Sequence, residues 1–422
     1  MKKSFLFFLF AFIALSCNPA SQPGEDGTSG SPTDPPVAPP TAEAKTPGMN
    51  MFYKGGTMSF ASYLQDLGLV YREGNKQKDP YQSMAEHGAN CVRLQLDQIA
   101  FAKMGNTTID WQSYKRVLAD SKKAKAQGLE IFLTLKPDYD IYTDELTHHN
   151  ILPPAWKGKT ESQIGEAIYE WVTKSLEDLA AEGIYPAIVA VGNEVNIGFM
   201  RPDGSSPADN ARTGRLLSYG HRAVRDYAAK HNPACISALH IADPGKVQGS
   251  VSVMESAGAK DYDLIAISYY PGKDIGHSLP GNDFSTIARM FPKRKIMVVE
   301  TAYSFTTGSI DGKWMGDWCS NAYNYPDWDD ATNSLNYTPA KCRAWLASLA
   351  SQVKAAGGIG LVTWGTESLP DLLSGKEEGH GLGLYTYPAT WAYGSTWENN
   401  SYWDFTDNNN LHEGIDWMKD IK

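Results

Sequence analysis

Two glutamates in this 422-residue chain stand where a pair of carboxylates can do chemistry. Glu194 follows the run Ile188-Val189-Ala190-Val191-Gly192-Asn193, and Glu300 follows Ile296-Met297-Val298-Val299. Both runs are short, apolar and β-branched, so each glutamate emerges from the C-terminal end of a buried strand. A single strand-end glutamate is as often a loop cap. Two facing each other across a site, with burial and mutual repulsion separating their pKa values, form the acid and carboxylate couple of glycoside hydrolysis. A third charged residue, Arg93 in Val92-Arg93-Leu94-Gln95-Leu96, interrupts another apolar strand. An arginine in that setting needs a buried partner.

The elements that position these residues recur with a steady rhythm. Apolar runs occur at residues 51–54, 91–96, 131–135, 187–191, 236–240, 264–269, 296–299 and 360–364. Helix-period stretches fall between several of them, at 113–127, 161–182, 209–231 and 339–356. Near-continuous apolar strands alternating with helices predict a parallel sheet, and eight such units predict a single α/β domain, a (β/α)8 TIM barrel. Long loops follow strands three (136–160), seven (301–338) and eight (365–410), on the face where barrel enzymes carry their sites. Neither a G-x-G-x-x-G after the first strand nor a P-loop is present, so no nucleotide cofactor is expected.

Composition narrows the partners. The net charge is −10, with no basic cluster beyond the extreme N-terminus, which argues against nucleic acid. The chain has 12 Trp, 22 Tyr and 14 Phe, a surplus suited to stacking on flat faces such as sugar rings. Met1-Lys2-Lys3, the apolar run 5–15 and Ser16-Cys17 form a secretory signal, too short to span a bilayer. Cys17 after Ala14-Leu15-Ser16 resembles a bacterial lipobox. The expected organisation is a signal peptide at 1–16, a lipidated Cys17 with a tether to residue 48, and a catalytic domain at 49–422. Eight prolines among residues 18–48, with no aromatic, predict an extended, disordered spacer. A monomeric lipoprotein of the outer membrane is the expectation. Cys91 and Cys235 read as buried free thiols, whereas Cys319 and Cys342 flank the loop after strand seven and an exported chain permits them to bridge. No zinc spacing exists, and no metal is assigned.

The local motifs resemble those of glycoside hydrolase family 53, the arabinogalactan endo-β-1,4-galactanases. Gly192-Asn193-Glu194-Val195-Asn196-Ile197-Gly198 is similar to the family's acid/base motif, and Val298-Val299-Glu300-Thr301-Ala302-Tyr303 to its nucleophile motif. Their separation, 300 − 194 = 106 residues, is also similar. Ile267-Ser268-Tyr269-Tyr270-Pro271, Val362-Thr363-Trp364 and Gly394-Ser395-Thr396-Trp397-Glu398-Asn399 extend the resemblance from about Met51 to the C-terminus.

The resemblance implies a retaining double displacement on β-1,4-galactan, with Glu194 as acid/base and Glu300 as nucleophile. It implies that Arg93 holds the nucleophile ionised and that Asn193 bonds the sugar 2-OH. Tyr269 or Tyr270 would donate to Glu300, Tyr269 being the first choice. Trp364 would floor the subsite beside the scissile bond, and Trp397 is a further sugar contact, with Trp314, Trp318, Trp328 and Trp391 as loop platforms. Some relatives bind calcium after strand seven, where Asp311, Asp317, Asp327, Asp329 and Asp330 offer oxygen ligands without a regular spacing. Departures fall at strand three, Thr134-Leu135-Lys136-Pro137-Asp138-Tyr139-Asp140 with Trp156 beyond, and at Lys54-Gly55-Gly56-Thr57-Met58-Ser59. These leave three competitors: the same mechanism on a mannan or glucan, an exo-acting variant, and a glycan-binding lipoprotein without turnover.

Overall fold

In the computed structural model, eight parallel strands close into a barrel, each hydrogen-bonded to its neighbours in chain order and the last to the first. The model describes residues 42–99, 102–104, 107–110, 112–142, 147–203, 206–271, 277–306, 328–329, 334–335, 337–369 and 398–422. The barrel strands are β1 (Tyr53–Thr57), β2 (Cys91–Asp97), β3 (Glu130–Lys136), β4 (Ile188–Val191), β5 (Ile236–Ala242), β6 (Leu264–Ser268), β7 (Lys295–Glu300) and β8 (Gly360–Thr363). All eight coincide with or overlap the apolar runs of the sequence. The largest displacement is at β1, expected at 51–54. Its extension through Gly55 and Gly56 is a packing requirement. A Cβ on Gly55 would lie 1.8 Å from the Cys91 carbonyl oxygen, and one on Gly56 2.2 Å from the Thr366 hydroxyl.

Helices α1 (Ala61–Asp66) and α2 (Pro80–Glu86) connect β1 to β2, and α3 (Tyr114–Ala126) and α4 (Glu161–Ala181) follow β2 and β3. The ring continues with α5 (Asn210–His231), α6 (Val247–Ala257), α7 (Phe284–Met290) and α8 (Pro339–Ala355), and α9 (Trp417–Asp420) ends the chain. The sequence marks the starts of the long helices by their caps. Thr160 and Gln163 form a capping box on α4, Asp209 accepts from Arg212 N on α5, and Thr338 accepts from Lys341 N ahead of Pro339 on α8. α5 buries Leu216, Leu217, Ala223, Val224 and Tyr227, one helical stripe facing the sheet.

Strand alternation divides the apolar residues into two layers. Val92, Leu94, Leu133, Leu135, Val189, Val191, Ile265 and Ile267 pack outward under the helices. Tyr53, Cys91, Phe132, Ile188, Ala190, Ala238, Ala266, Met297 and Val299 fill the barrel interior. The long segment after β3 holds a hairpin, Tyr139–Tyr142 with Thr147–Ile151, where only a loop was expected. Among the described residues no helix is long and apolar enough to cross a membrane.

Candidate active site

Along four of the strands the inward positions turn from apolar to polar toward the C-terminal end. On β2 they run Cys91, Arg93, Gln95; on β3 Phe132, Thr134, Lys136; on β5 Ile236, Ala238, His240; on β6 Leu264, Ala266, Ser268. All are buried. A water-excluded layer of polar side chains at one mouth of a barrel is costly unless its members satisfy one another. Here they do.

Arg93 is the centre of that layer and is fully buried. Its Nη1 lies 2.6 Å from Glu300 Oε1, its Nη2 2.7 Å from Asn193 Oδ1 and its Nε 3.1 Å from Thr134 Oγ1. The guanidinium also faces the rings of Phe132 and Trp364 at 5.6 and 5.7 Å. Gln95 Nε2 adds a second donor to Asn193 Oδ1 at 3.3 Å. With its oxygen held by two donors, Asn193 keeps its amide N–H groups for the mouth.

Glu300 reaches this layer through a bulge. The β6–β7 register pairs Ile267 with Val298 and then Ser268 with Glu300, so Val299 has no partner of its own. Met297 and Val299 point into the barrel, and strict alternation would send Glu300 out under the helices. The extra residue turns it back inward, to Arg93.

The hydroxyl directed at the second carboxylate oxygen of Glu300 is that of Tyr270, at 3.4 Å, not that of Tyr269. Alternation explains the correction. Ser268 points inward at the end of β6, so Tyr269 points out and Tyr270 returns to the mouth. Tyr269 packs edge-on against Phe284, ring centres 5.4 Å apart, and offers Glu300 only its backbone N–H, 2.8 Å from the Glu300 carbonyl oxygen.

Glu194 sits just beyond β4 with φ 48° and ψ 48°, in the left-handed region that a non-glycine residue rarely occupies. Neighbouring contacts pin it there. Asn196 bonds both ways with Ala242 of β5, Oδ1 accepting from its N at 2.7 Å and Nδ2 donating to its carbonyl at 3.0 Å. The Glu194 N–H donates to His240 Nδ1 at 3.3 Å. The carboxyl of Glu194 is partly buried, and its pKa is pushed up to about 7. Desolvation is the first cause and the charge of Glu300 the second, opposed by a Ser268 hydrogen bond and the charges of Arg93 and Lys136.

The structure therefore brings Arg93, Asn193, Glu194, Glu300 and Trp364 to one mouth and replaces Tyr269 by Tyr270. Thr134, Gln95, His240 and Ser268 belong to the same layer and were not singled out from the sequence. Their signal was a polar residue at an inward position in the C-terminal half of an apolar strand. Trp397, Trp314, Trp318 and Trp391 lie outside the described residues, as do Cys17, Asp311, Asp317, Asp327 and Asp330; Trp328 and Asp329 are described in backbone only. Among the described residues no group of three or more metal-ligating side chains occurs. Cys342 is a buried free thiol whose Sγ lies 3.6 Å from the Tyr303 carbonyl oxygen, and Cys319, its expected partner, lies outside the described residues. Cys91 and Cys235 are likewise free and buried.

Comparison with known proteins points to one family. The model of glycosyl hydrolase family 53 matches residues 53–417. The arabinogalactan endo-beta-1,4-galactanase of Cellvibrio japonicus is 29% identical over 321 residues, 74% of this chain and 80% of that protein. The endo-beta-1,4-galactanase of Bacillus subtilis is 28% identical over 277 residues, 64% of this chain and 61% of that protein. Among solved structures, the Ignisphaera aggregans GH53 catalytic domain superposes with a TM-score of 0.65 at 23% identity, over 90% of this chain and 99% of that one. A fungal beta-1,4-galactanase gives 0.64 at 18% identity, over 87% and 99%. At such identities these two likenesses bear on the barrel alone. The family match spans nearly all of the barrel and both carboxylates: the chain belongs to glycosyl hydrolase family 53.

Proposed function

We propose that this chain is a retaining endo-glycosidase that hydrolyses β-1,4-galactosidic bonds of galactan, with Glu194 as acid/base and Glu300 as nucleophile. The observation that carries the roles is the buried Arg93, which joins Glu300 to Asn193 while Glu194 stands beside them with its pKa raised toward neutrality. In the first step Glu194 gives its proton to the glycosidic oxygen as Glu300 attacks the anomeric carbon. The leaving chain departs as an alcohol. In the second step Glu194 takes a proton from water, whose oxygen attacks the same carbon and frees Glu300. The electrostatics favour this order. Esterification of Glu300 removes the negative charge that helps hold Glu194 protonated, so the acid of step one becomes the base of step two.

In this reading Asn193 donates to the sugar 2-OH and Trp364 floors the ring beside the scissile bond. The galactan assignment rests on the names of the two curated relatives. Incubation with β-1,4-galactan, β-mannan and mixed-linkage β-glucan tests it. Mixed oligosaccharides released early from galactan alone are expected. Release from another polymer only would move the substrate, and galactan binding without products would favour a binding protein. Wild-type rates in Glu300→Gln would end the mechanistic assignment.

The N-terminal sequence supports a second part of the proposal: export, lipidation at Cys17 and a tether to residue 48 that holds the barrel off the outer membrane. Metabolic labelling with a fatty-acid analogue should vanish in Cys17→Ala. Labelling that persists unchanged would exclude that site.

A further inference from the structure

Beneath Glu194 lie two side chains that the two-carboxylate mechanism does not use. His240, inward on β5, is fully buried, and both of its ring nitrogens are engaged. Nδ1 is 3.3 Å from the backbone N–H of Glu194, and Nε2 is 2.9 Å from Ser268 Oγ. A nitrogen that accepts an N–H carries no proton, so Nδ1 is bare and the ring hydrogen is on Nε2. Burial and the nearby charge of Arg93 keep the ring neutral, holding its pKa well below the usual histidine value. Nε2–H therefore donates to Ser268 Oγ. The Ser268 hydroxyl hydrogen is thereby left free to turn toward the Glu194 carboxyl, whose pKa Ser268 lowers.

The two contacts form a chain that starts at the Glu194 backbone and ends at the Ser268 hydroxyl. We propose that His240, acting with Ser268, is a positioning residue for the acid/base: it holds Glu194 in its left-handed conformation and aims one hydroxyl at its carboxyl. This inference rests on the acid/base role assigned to Glu194 above. The need for such a device follows from the backbone. A glutamate at φ 48° persists only where its surroundings over-determine it. Asn196 pins the turn from one side, the Glu194 carbonyl accepts from Ile197 N at 3.0 Å, and the Glu194 N–H is held by His240.

The polarity of the chain sets its chemical consequence. A Ser268 hydroxyl turned to the charged form of Glu194 opposes the rise caused by desolvation and Glu300, while Arg93 and Lys136 act in the same sense. The carboxyl is thereby left able both to give a proton and to take one back.

Two variants test the proposal. His240→Asn keeps an acceptor near the Glu194 N–H and loses the reach to Ser268, whereas Ser268→Ala removes the hydroxyl and keeps the histidine. Two probes separate positioning from folding: β-1,4-galactan, whose leaving group must be protonated, and dinitrophenyl β-galactobioside, whose leaving group need not be. On galactan, kcat should fall roughly 10- to 100-fold in His240→Asn and roughly 10-fold in Ser268→Ala, with KM within about threefold. The initial burst of dinitrophenolate should stay within about threefold of wild type in both. In Ser268→Ala the alkaline limb of kcat/KM should move to higher pH. A burst that falls in step with galactan turnover, or an unmoved alkaline limb in Ser268→Ala, would overturn the proposal. Should His240→Asn fail to fold, Ser268→Ala carries both readouts alone. Failure of the underlying reading looks different: Glu194→Ala would then keep wild-type galactan turnover, or wild type would release nothing from galactan.

Discussion

Arg93 of β2 and Glu300 of β7 meet across the barrel at 2.6 Å, the arginine fully buried and the carboxylate nearly so. Glu300 depends on this contact because the other group reaching its carboxylate, Tyr270, is more distant at 3.4 Å. Replacing Arg93 by Met leaves a buried carboxylate and the Asn193 oxygen without their cation. A loss of about 3–5 kcal/mol is expected, read as a lower midpoint in denaturant unfolding. Arg93→Lys keeps the charge but lacks the fork that joins Glu300 to Asn193 and Thr134. It should fold, with kcat on galactan down by about 100-fold.

The raised pKa of Glu194 fixes the direction of the pH dependence. The acid must be protonated to serve the leaving group, so activity is lost as pH rises through the value of about 7. The alkaline limb of kcat/KM on galactan should therefore fall near pH 7. Glu194→Gln should remove that limb along with most of the activity. A limb that stayed in place in this variant would belong to another group.

A second buried carboxyl lies outside the chemistry. Glu367, just beyond β8, is almost fully buried; its Oε1 accepts from Phe60 N at 3.0 Å, and its Oε2 has no hydrogen-bond partner. Desolvation is the main cause that pushes its pKa up to about 8, with the charge of Asp120 adding to it. A folded pKa above the unfolded one means that the folded state binds the extra proton. Stability from this group is full below the ordinary glutamate range and is lost as pH rises toward 8. The melting temperature should drop by a few degrees between about pH 5 and pH 8. Glu367→Gln should flatten this dependence, which calorimetry across that range would show.

At β1 the expected sensitivity is steric. A methyl at Gly55 would meet the Cys91 carbonyl oxygen of β2 at 1.8 Å, a backbone atom that cannot move without breaking the sheet. Gly55→Ala should cost about 3 kcal/mol or more, or prevent folding, although the residue lies far from the carboxylates in sequence. Gly74→Ala is the control for space, since nothing lies within 4 Å of its Cβ position, though its φ of 56° carries its own strain.

The barrel and its principal charges were legible in the sequence because each rests on a local pattern. Apolar runs mark strands buried on both faces, and Arg93, Glu194 and Glu300 stand out as charges in or at the end of such runs. Phase was less legible. Choosing between Tyr269 and Tyr270 requires knowing that β6 stops at Ser268, and the inward turn of Glu300 depends on a register shift between two strands. His240 and Ser268 escaped notice because a neutral polar residue in an apolar run reads as a satisfied core residue. Only the neighbouring strand shows whom it satisfies. The hairpin after β3 was read as loop because Tyr139–Tyr142 and Thr147–Ile151 carry no alternating pattern.

The unpaired Val299 gives β7 a property that no substitution scan would reveal. The strand enters the barrel in one phase and leaves it in the other, so two successive side chains, Val299 and Glu300, face the interior. Point changes at Val299 that conserve volume should leave the carboxylate where it is. Deleting Val299 would let the register close, keep the outward-facing Ile296 and Val298 in their layer, and leave the glutamate inward opposite Ser268, with the space of one interior side chain emptied. Val299 is thus a filler of the barrel beneath the carboxylate and not what directs it, and loss of that single codon should lower stability through the cavity it leaves while Glu300 keeps its side of the strand.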